Sequence, residues 1–193
     1  MLLENENSRF VRNYALGTLV LVYTFNFIDR QILSILLEAI KLDLKLSDTQ
    51  LGFLTGFAFA LFYATLGIPI AKYADRGNRR NLISLAVAIW SLMTAFSGLA
   101  LNFFQLLAAR IGVGIGEAGC SPPAHSMISD YFPAEKRATA LGVYSLGIPF
   151  GIMFGLFAGG WINEFFGWRL AFFVVGLPGL LIALLFSLYI FGV

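Results

Sequence analysis

The chain has 193 residues, 59% of them hydrophobic and 12% charged, with a mean hydropathy of +0.81 and a formal charge of +2. That balance excludes a water-soluble domain around one buried core and leaves an integral membrane protein, and because strand-like alternation is missing the spans are read as helices and not as a β-barrel. The single cysteine, Cys120, excludes an internal disulfide, no Cys/His cluster implies a structural metal or other cofactor, and nothing signals nucleic acid or a nucleotide-binding loop for direct ATP driving.

Six apolar runs stand out, at 14–37, 50–71, 82–101, 103–129, 138–160 and 169–192, here called spans 1 to 6. The expected fold is all-α and polytopic: a cytoplasmic segment 1–13, then a six-helix transmembrane bundle over 14–193. The first run is too long for a signal-peptide core and carries internal charges, so no cleaved leader is expected. Arg9, Arg12, Lys72, Arg76, Arg79, Arg80, Lys136 and Arg137 fall on one side of the membrane and only Lys41, Lys45 and Arg169 on the other. Eight against three places both termini in the cytoplasm, at a bacterial inner (plasma) membrane.

Span 1 carries Asn26, Phe27, Ile28, Asp29 and Arg30, an acid and a base at mid-depth. At helical spacing Tyr23, Asn26 and Arg30 fall near one stripe with Asp29 beside it, a polar face that turns from lipid toward the bundle interior. Ionisable groups at that depth cost several kcal/mol each unless paired or hydrated, so they imply a functional site; a structural ion pair locking two helices is the plainer reading, and the two are compatible.

Between spans 1 and 2, Ser47 and Gln50 form a capping box that starts the second helix. Gly52, Gly56, Ala60 and Ala64 then repeat every four residues, a stripe expected to let another helix approach closely. After span 2 comes a short loop with Asp75, Arg76, Arg79 and Arg80. It resembles the loop between helices 2 and 3 of the major facilitator superfamily, G-x-x-x-D-R-x-G-R-R, with Ala71 and Asn78 standing where that pattern has glycines. The resemblance implies a cytoplasmic latch that biases inward-open against outward-open states.

Span 3 is mostly apolar, with Trp90 and Ser91 and little chemistry. In span 4, Arg110 and Glu117 lie seven residues apart and share a face, with Gly112, Gly114 and Gly116 between them opening space for a helix, a substrate or water. Ser121, Pro122 and Pro123 remove backbone donors and are expected to bend this helix before His125, the only histidine, read either as a proton or substrate group or as a residue hydrogen-bonded near a helix end. The N-x-I-D-R of Asn26 to Arg30 and the R-x-x-x-G-x-G-E-A of Arg110 to Ala118 are similar to the spinster branch of the same superfamily, and Asp130, Phe132, Pro133 and Arg137 resemble its next cytoplasmic link, D-x-F-P-x-x-x-R. Bacterial organic-anion symporters of the superfamily share the Asp–Arg pair. In span 5, Gly147, Gly151, Gly155 and Gly159 recur at a strict four-residue interval and mean a close helix crossing. Ahead of span 6, Trp168 suits the membrane interface and Arg169 the aqueous edge; Pro178 is an expected bend.

Coupling proton to solute movement requires a buried carboxyl beside a base, and Asp29 and Glu117 are the only acids deep in the spans, as Arg30 and Arg110 are the only bases. Spans 1 and 4 correspond in the two three-helix repeats of such a half. Asp29 and Glu117 are therefore the expected proton-coupling groups, and Arg30, Arg110, Asn26 and Tyr23 the expected substrate contacts. The resemblance implies a secondary active transporter, moving an amphipathic anionic solute such as a lysophospholipid by proton-coupled alternating access. A symporter of small organic anions is the alternative, and a non-transporting membrane assembly module the alternative of another class; an enzyme is not expected. Transporters of this kind have two six-helix halves, so the expected partners are, beyond lipids, protons and the substrate, either a carboxy-terminal half or a second copy of the chain.

Overall fold

In the computed structural model, which describes residues 6–74 and 77–189, helices follow one another with short turns between them. Helix α1 (Glu6–Leu44) overruns span 1 at both ends. Ser47 then accepts from the backbone N–H of Gln50 while the Gln50 side chain accepts from the Ser47 N–H, the capping box expected from the sequence, and α2 (Asp48–Gly52) begins there. It continues through a π-helical turn (Phe53–Phe57) into α3 (Ala58–Ala74). Asn78 caps α4 (Arg79–Ser97) by accepting from the Asn81 N–H, which gives a local reason for an asparagine at that position.

Span 4 is two helices. α5 (Phe103–Ala118) ends at a turn through Gly119 and Cys120, and α6 (Ser121–Tyr131) restarts with proline in its first turn, where a missing N–H is harmless. The bend expected at Ser121 to Pro123 is thus a full break. Span 5 is also divided, into α7 (Ala134–Ser145) and α8 (Gly147–Phe166), before α9 (Trp168–Tyr189). Gly167, at a φ of 83°, makes the turn between α8 and α9. Among the described residues four helical stretches are long and apolar enough to cross a membrane: Arg9–Leu44, Arg79–Ser97, Ala134–Phe166, which takes in the turn at Leu146, and Trp168–Leu188. Spans 2 and 4 reach that length only by joining helices across the π turn and the Gly119–Cys120 break.

The packing follows the two-repeat expectation. Span 1 lies against span 5 (α1 on α8), span 4 against span 2 (α5 on α3), and span 3 against span 6 (α4 on α9). Exchanging spans 1–3 with spans 4–6 turns the first contact into the second and returns the third to itself. The glycine stripe of α8 makes the first crossing: a Cβ at Gly151 would lie 2.6 Å from the Thr24 carbonyl oxygen, and one at Gly155 2.9 Å from the Gln31 Cβ. The stripe on span 2 behaves differently. Gly52, Gly56, Ala60 and Ala64 are exposed, and a Cβ at Gly52 or Gly56 would meet nothing within 4 Å, so the close packing expected of them is not made among the described residues.

Two apolar cores stack along the bundle. One gathers Leu19, Val22, Val87, Trp90, Val113, Met127 and Tyr144; the other gathers Ile32, Leu36, Ile40, Leu54, Leu106 and Phe172. Asp29 and Arg30 lie on α1 between Val22 of the first core and Ile32 of the second, and Arg110 lies on α5 between Leu106 and Val113, with Glu117 about two turns further along α5.

Candidate functional site

These four charges pair across the two helices. Arg30 on α1 donates from Nε to Oε2 of Glu117 on α5 at 2.6 Å, and Arg110 on α5 reaches Asp29 on α1 from Nη2 at 3.4 and 3.3 Å to its two oxygens. Each arginine thus holds the acid of the other helix. A single step along an α-helix rotates the side chain by about 100°, so neighbours in sequence enter different sectors of the bundle. Asp29 points between α4 and α5, and its Oδ1 accepts from Thr94 Oγ1 at 2.7 Å. Arg30 points toward α3, with its guanidinium carbon 5.1 Å from the ring centroids of both Phe27 and Tyr63. Arg110 rests over the Phe172 ring of α9 at 5.6 Å.

Burial separates the two pairs. The Arg110 and Asp29 side chains are 4% and 2% exposed; Glu117 is fully buried, while Arg30 is 27% exposed. All four border one cavity of about 230 Å³, with Gln31, Leu33, Ser34, Leu54, Thr55 and Val113 completing its walls. Nη1 of Arg110 and Oε1 of Glu117 are buried without a hydrogen-bond partner. A buried donor and a buried acceptor left unpaired on residues that line one cavity are the groups that a polar ligand or water would satisfy.

The other expected contacts are placed elsewhere. Asn26 is 1% exposed with both side-chain polar atoms buried and unpartnered, and neither it nor Tyr23 borders the cavity. Tyr23 instead stacks on Tyr144, with ring centroids 4.3 Å apart, and the exposed His125 meets the same Tyr144 edge-on at 5.4 Å. In the charged loop, Asp75 and Arg76 lie outside the described residues. Arg79 pairs with Asp130, joining the start of α4 to α6. Arg80 donates to the Asn81 side chain at 3.2 Å, and Arg137 donates to the Phe132 carbonyl at 3.1 Å while Arg12 sits over the Phe132 ring. At the other end of the bundle Trp168 is 5% exposed, not a lipid-interface residue: its indole N–H donates to Asp43 at 3.1 Å, Arg169 pairs with the same carboxylate, and Arg169 also donates to the Ala100 carbonyl at 3.0 Å.

Sequence reasoning missed Thr94 and the polar wall residues Gln31, Ser34 and Thr55. The signal for Thr94 was present as Ser84, Ser91, Thr94 and Ser97, four hydroxyls at helical spacings in a run that carries no charge after its start.

Residues 19–192 match the family model of the Major Facilitator Superfamily. A crystal structure described as a bacterial homologue of the human lysosomal transporter Spinster, in an inward-facing, unoccupied conformation, superposes with a TM-score of 0.83 at 46% identity, covering 93% of this chain and 43% of that one. An MFS-type efflux pump of Mycolicibacterium smegmatis is 40% identical over 88% of this chain and 39% of its own length. A hexuronate transporter of Bacillus subtilis is 33% identical over 89% of this chain and 40% of its own. The chain therefore spans about two-fifths of the length of the relatives it matches.

Proposed function

Because the chain belongs to the Major Facilitator Superfamily, we propose that it forms the proton-handling and anion-binding bundle of a secondary active transporter. The observation that carries this reading is the crossed pairing of Asp29 with Arg110 and of Arg30 with Glu117 around one cavity. Arg30 is the more accessible cation, and its partner in the ion pair is Glu117. A proton on Glu117 neutralises that partner and releases Arg30 to an anionic head group. Proton and anion then favour each other's binding, and by linkage each raises the other's affinity by the same factor. The expected coupling is symport.

The substrate we propose is an amphipathic anion such as a lysophospholipid, in keeping with the 46% identity to the Spinster homologue. A second reading, a small hydroxylated organic anion, is favoured by the cavity itself, which is about 230 Å³ and walled by Gln31, Ser34 and Thr55 besides the four charges, and by the hexuronate transporter among the relatives. Alternating access needs a second bundle across from this face, either a further six-helix half or a second copy. The Arg79–Asp130 ion pair, on motifs whose sequence also carries Asp75, Arg76, Arg80 and Arg137, fits a latch at the end we assign to the cytoplasm of a bacterial inner membrane, with both termini on that side.

The test is calorimetric titration of the chain in nanodiscs with lysophosphatidic acid and with a hexuronate, across a range of pH. The bound anion should bind more tightly as pH falls. Arg30→Ala should weaken it about tenfold or more, the scale of one charge-assisted hydrogen bond, and Glu117→Gln should lose most of the pH dependence, leaving only the part that Asp29 contributes. Which of the two ligands binds decides between the substrate readings. If the charges serve assembly alone, Asp29→Asn and Glu117→Gln weaken folding or association while any anion binding is insensitive to pH, and the transport reading fails.

A further inference from the structure

Helix α4 brings no ionisable side chain to the four-charge cluster, yet it makes the shortest hydrogen bond that Asp29 receives. Thr94 is fully buried, and its hydroxyl lies 2.7 Å from Oδ1. The two contacts from Arg110 are 3.3 and 3.4 Å, beyond the usual range for an N–H···O bond. By geometry a neutral hydroxyl, and not the guanidinium, sets where the carboxylate sits.

The hydroxyl is also used in an unusual way for this chain. Thr18, Thr24, Thr55 and Thr65 each donate to the carbonyl four residues back in their own helix, as does Ser97 on α4 itself. Thr94 gives up that local bond and sends its one proton across to α1. Its position is fixed from behind, where α9 presses closely on α4: a Cβ at Gly176 would lie 2.6 Å from the Ala95 nitrogen and 2.7 Å from the Ser91 carbonyl oxygen.

We propose that Thr94 is a positioning residue for the proton step at Asp29, serving that carboxyl in both of its protonation states. The inference rests on the reading of Asp29 as a proton-titrating group. A hydroxyl has one donor and two acceptor sites, so it donates to the ionised carboxylate and accepts from the protonated acid with no heavy atom moving. A guanidinium only donates. The groups facing Asp29 are Arg30 from its own helix, Arg110 and Glu117 from α5, and Thr94 from α4; α9 contributes the Phe172 ring beneath Arg110 and no charge. Since the bond to the ion is about twice as strong as the neutral one, losing the hydroxyl favours the protonated form on balance.

The experiment is an infrared titration of the protonated-carboxyl band of the chain in nanodiscs, assigned as the band that Asp29→Asn removes. Thr94→Val, which keeps the shape and loses the hydroxyl, should move the midpoint to higher pH by about one unit, a tenfold change in proton concentration. Thr94→Ser should leave it where the wild type has it. Ser91→Ala removes a buried hydroxyl that has no partner one turn away, and should not move it either. A Thr94→Val midpoint equal to wild type, a Thr94→Ser shift as large as that of valine, or a wild type whose Asp29 band never appears at any pH each overturns the inference. Anion binding that proves insensitive to pH while the Thr94 shift holds defeats the transport reading and leaves this one standing.

Discussion

The two ion pairs use the same chemistry from the same two helices, and they differ in what surrounds them. Arg110 and Asp29 are sealed, with a long contact that Thr94 completes and an aromatic floor at Phe172. Arg30 and Glu117 meet in one short contact, and the arginine is partly open to the cavity. Both pairs border the cavity, but the buried pair presents almost no surface to it, whereas the open pair can exchange its partner for water or for a ligand. That suits the second to recognition, and the first to holding α1 and α5 in register while Asp29 is ionised, a hold that a proton on Asp29 would loosen.

Removing Arg110 is the harshest way to break the comparison. Arg110→Met leaves Asp29 as a buried charge with only the Thr94 hydroxyl, and should lower stability by about 3–5 kcal/mol, read as a fall in the denaturation midpoint in detergent. The crossing of α8 on α1 should come next, because it holds both Asp29 and Arg30 in place at once. Gly151→Val drives a side chain into the Thr24 carbonyl and the Phe27 side chain and should cost about 3 kcal/mol, weakening the two pairs together. A variant that weakened only one pair would show that they are not carried on one rigid helix face.

Much of this arrangement was legible in the sequence. The four charges are conspicuous against apolar runs, the Ser47–Gln50 capping box is a local pattern with a local consequence, and the four-residue repeat from Gly147 to Gly159 announces a crossing whatever its partner. The crossed pairing was not legible, because it depends on how α1 and α5 are rotated about their axes, which tertiary packing decides. Thr94 was hidden for a related reason: a threonine in a helix ordinarily bonds to its own backbone, and only the approach of α1 shows that this one does not. Likewise Trp168 has the composition of an interface anchor, and it is the arrival of Asp43 at the end of α1 that draws it inside. The stripe on span 2 had the right spacing for packing but faces away from the other described residues.

A smaller effect tests the open side of the comparison. Arg30→Met strips Glu117 of its partner, but the cavity admits water beside it, so the loss should fall at the low end of about 1–3 kcal/mol. A loss as large as that of Arg110→Met would mean that the cavity does not hydrate Glu117 and that the two pairs are equivalent.

The smallest effect belongs to a third pair that extends the same scale to the solvent-exposed surface. Asp43 and Arg169 are 46% and 38% exposed, and Asp43 also accepts from the Trp168 indole. Asp43→Asn keeps an acceptor for the indole and removes only the charge, so it should cost less than about 1 kcal/mol. Salt then separates the three environments. At 1 M the Debye length falls to about 3 Å, so the exposed pair is largely screened and the cost of Asp43→Asn should vanish. The cost of Arg110→Met should stay as it was, since mobile ions do not reach a pair buried between helices, and that of Arg30→Met should fall between. A salt response at Arg110 as steep as that at Asp43 would show that the Arg110–Asp29 pair is open to solvent, and the distinction between a holding pair and a recognition pair would go with it.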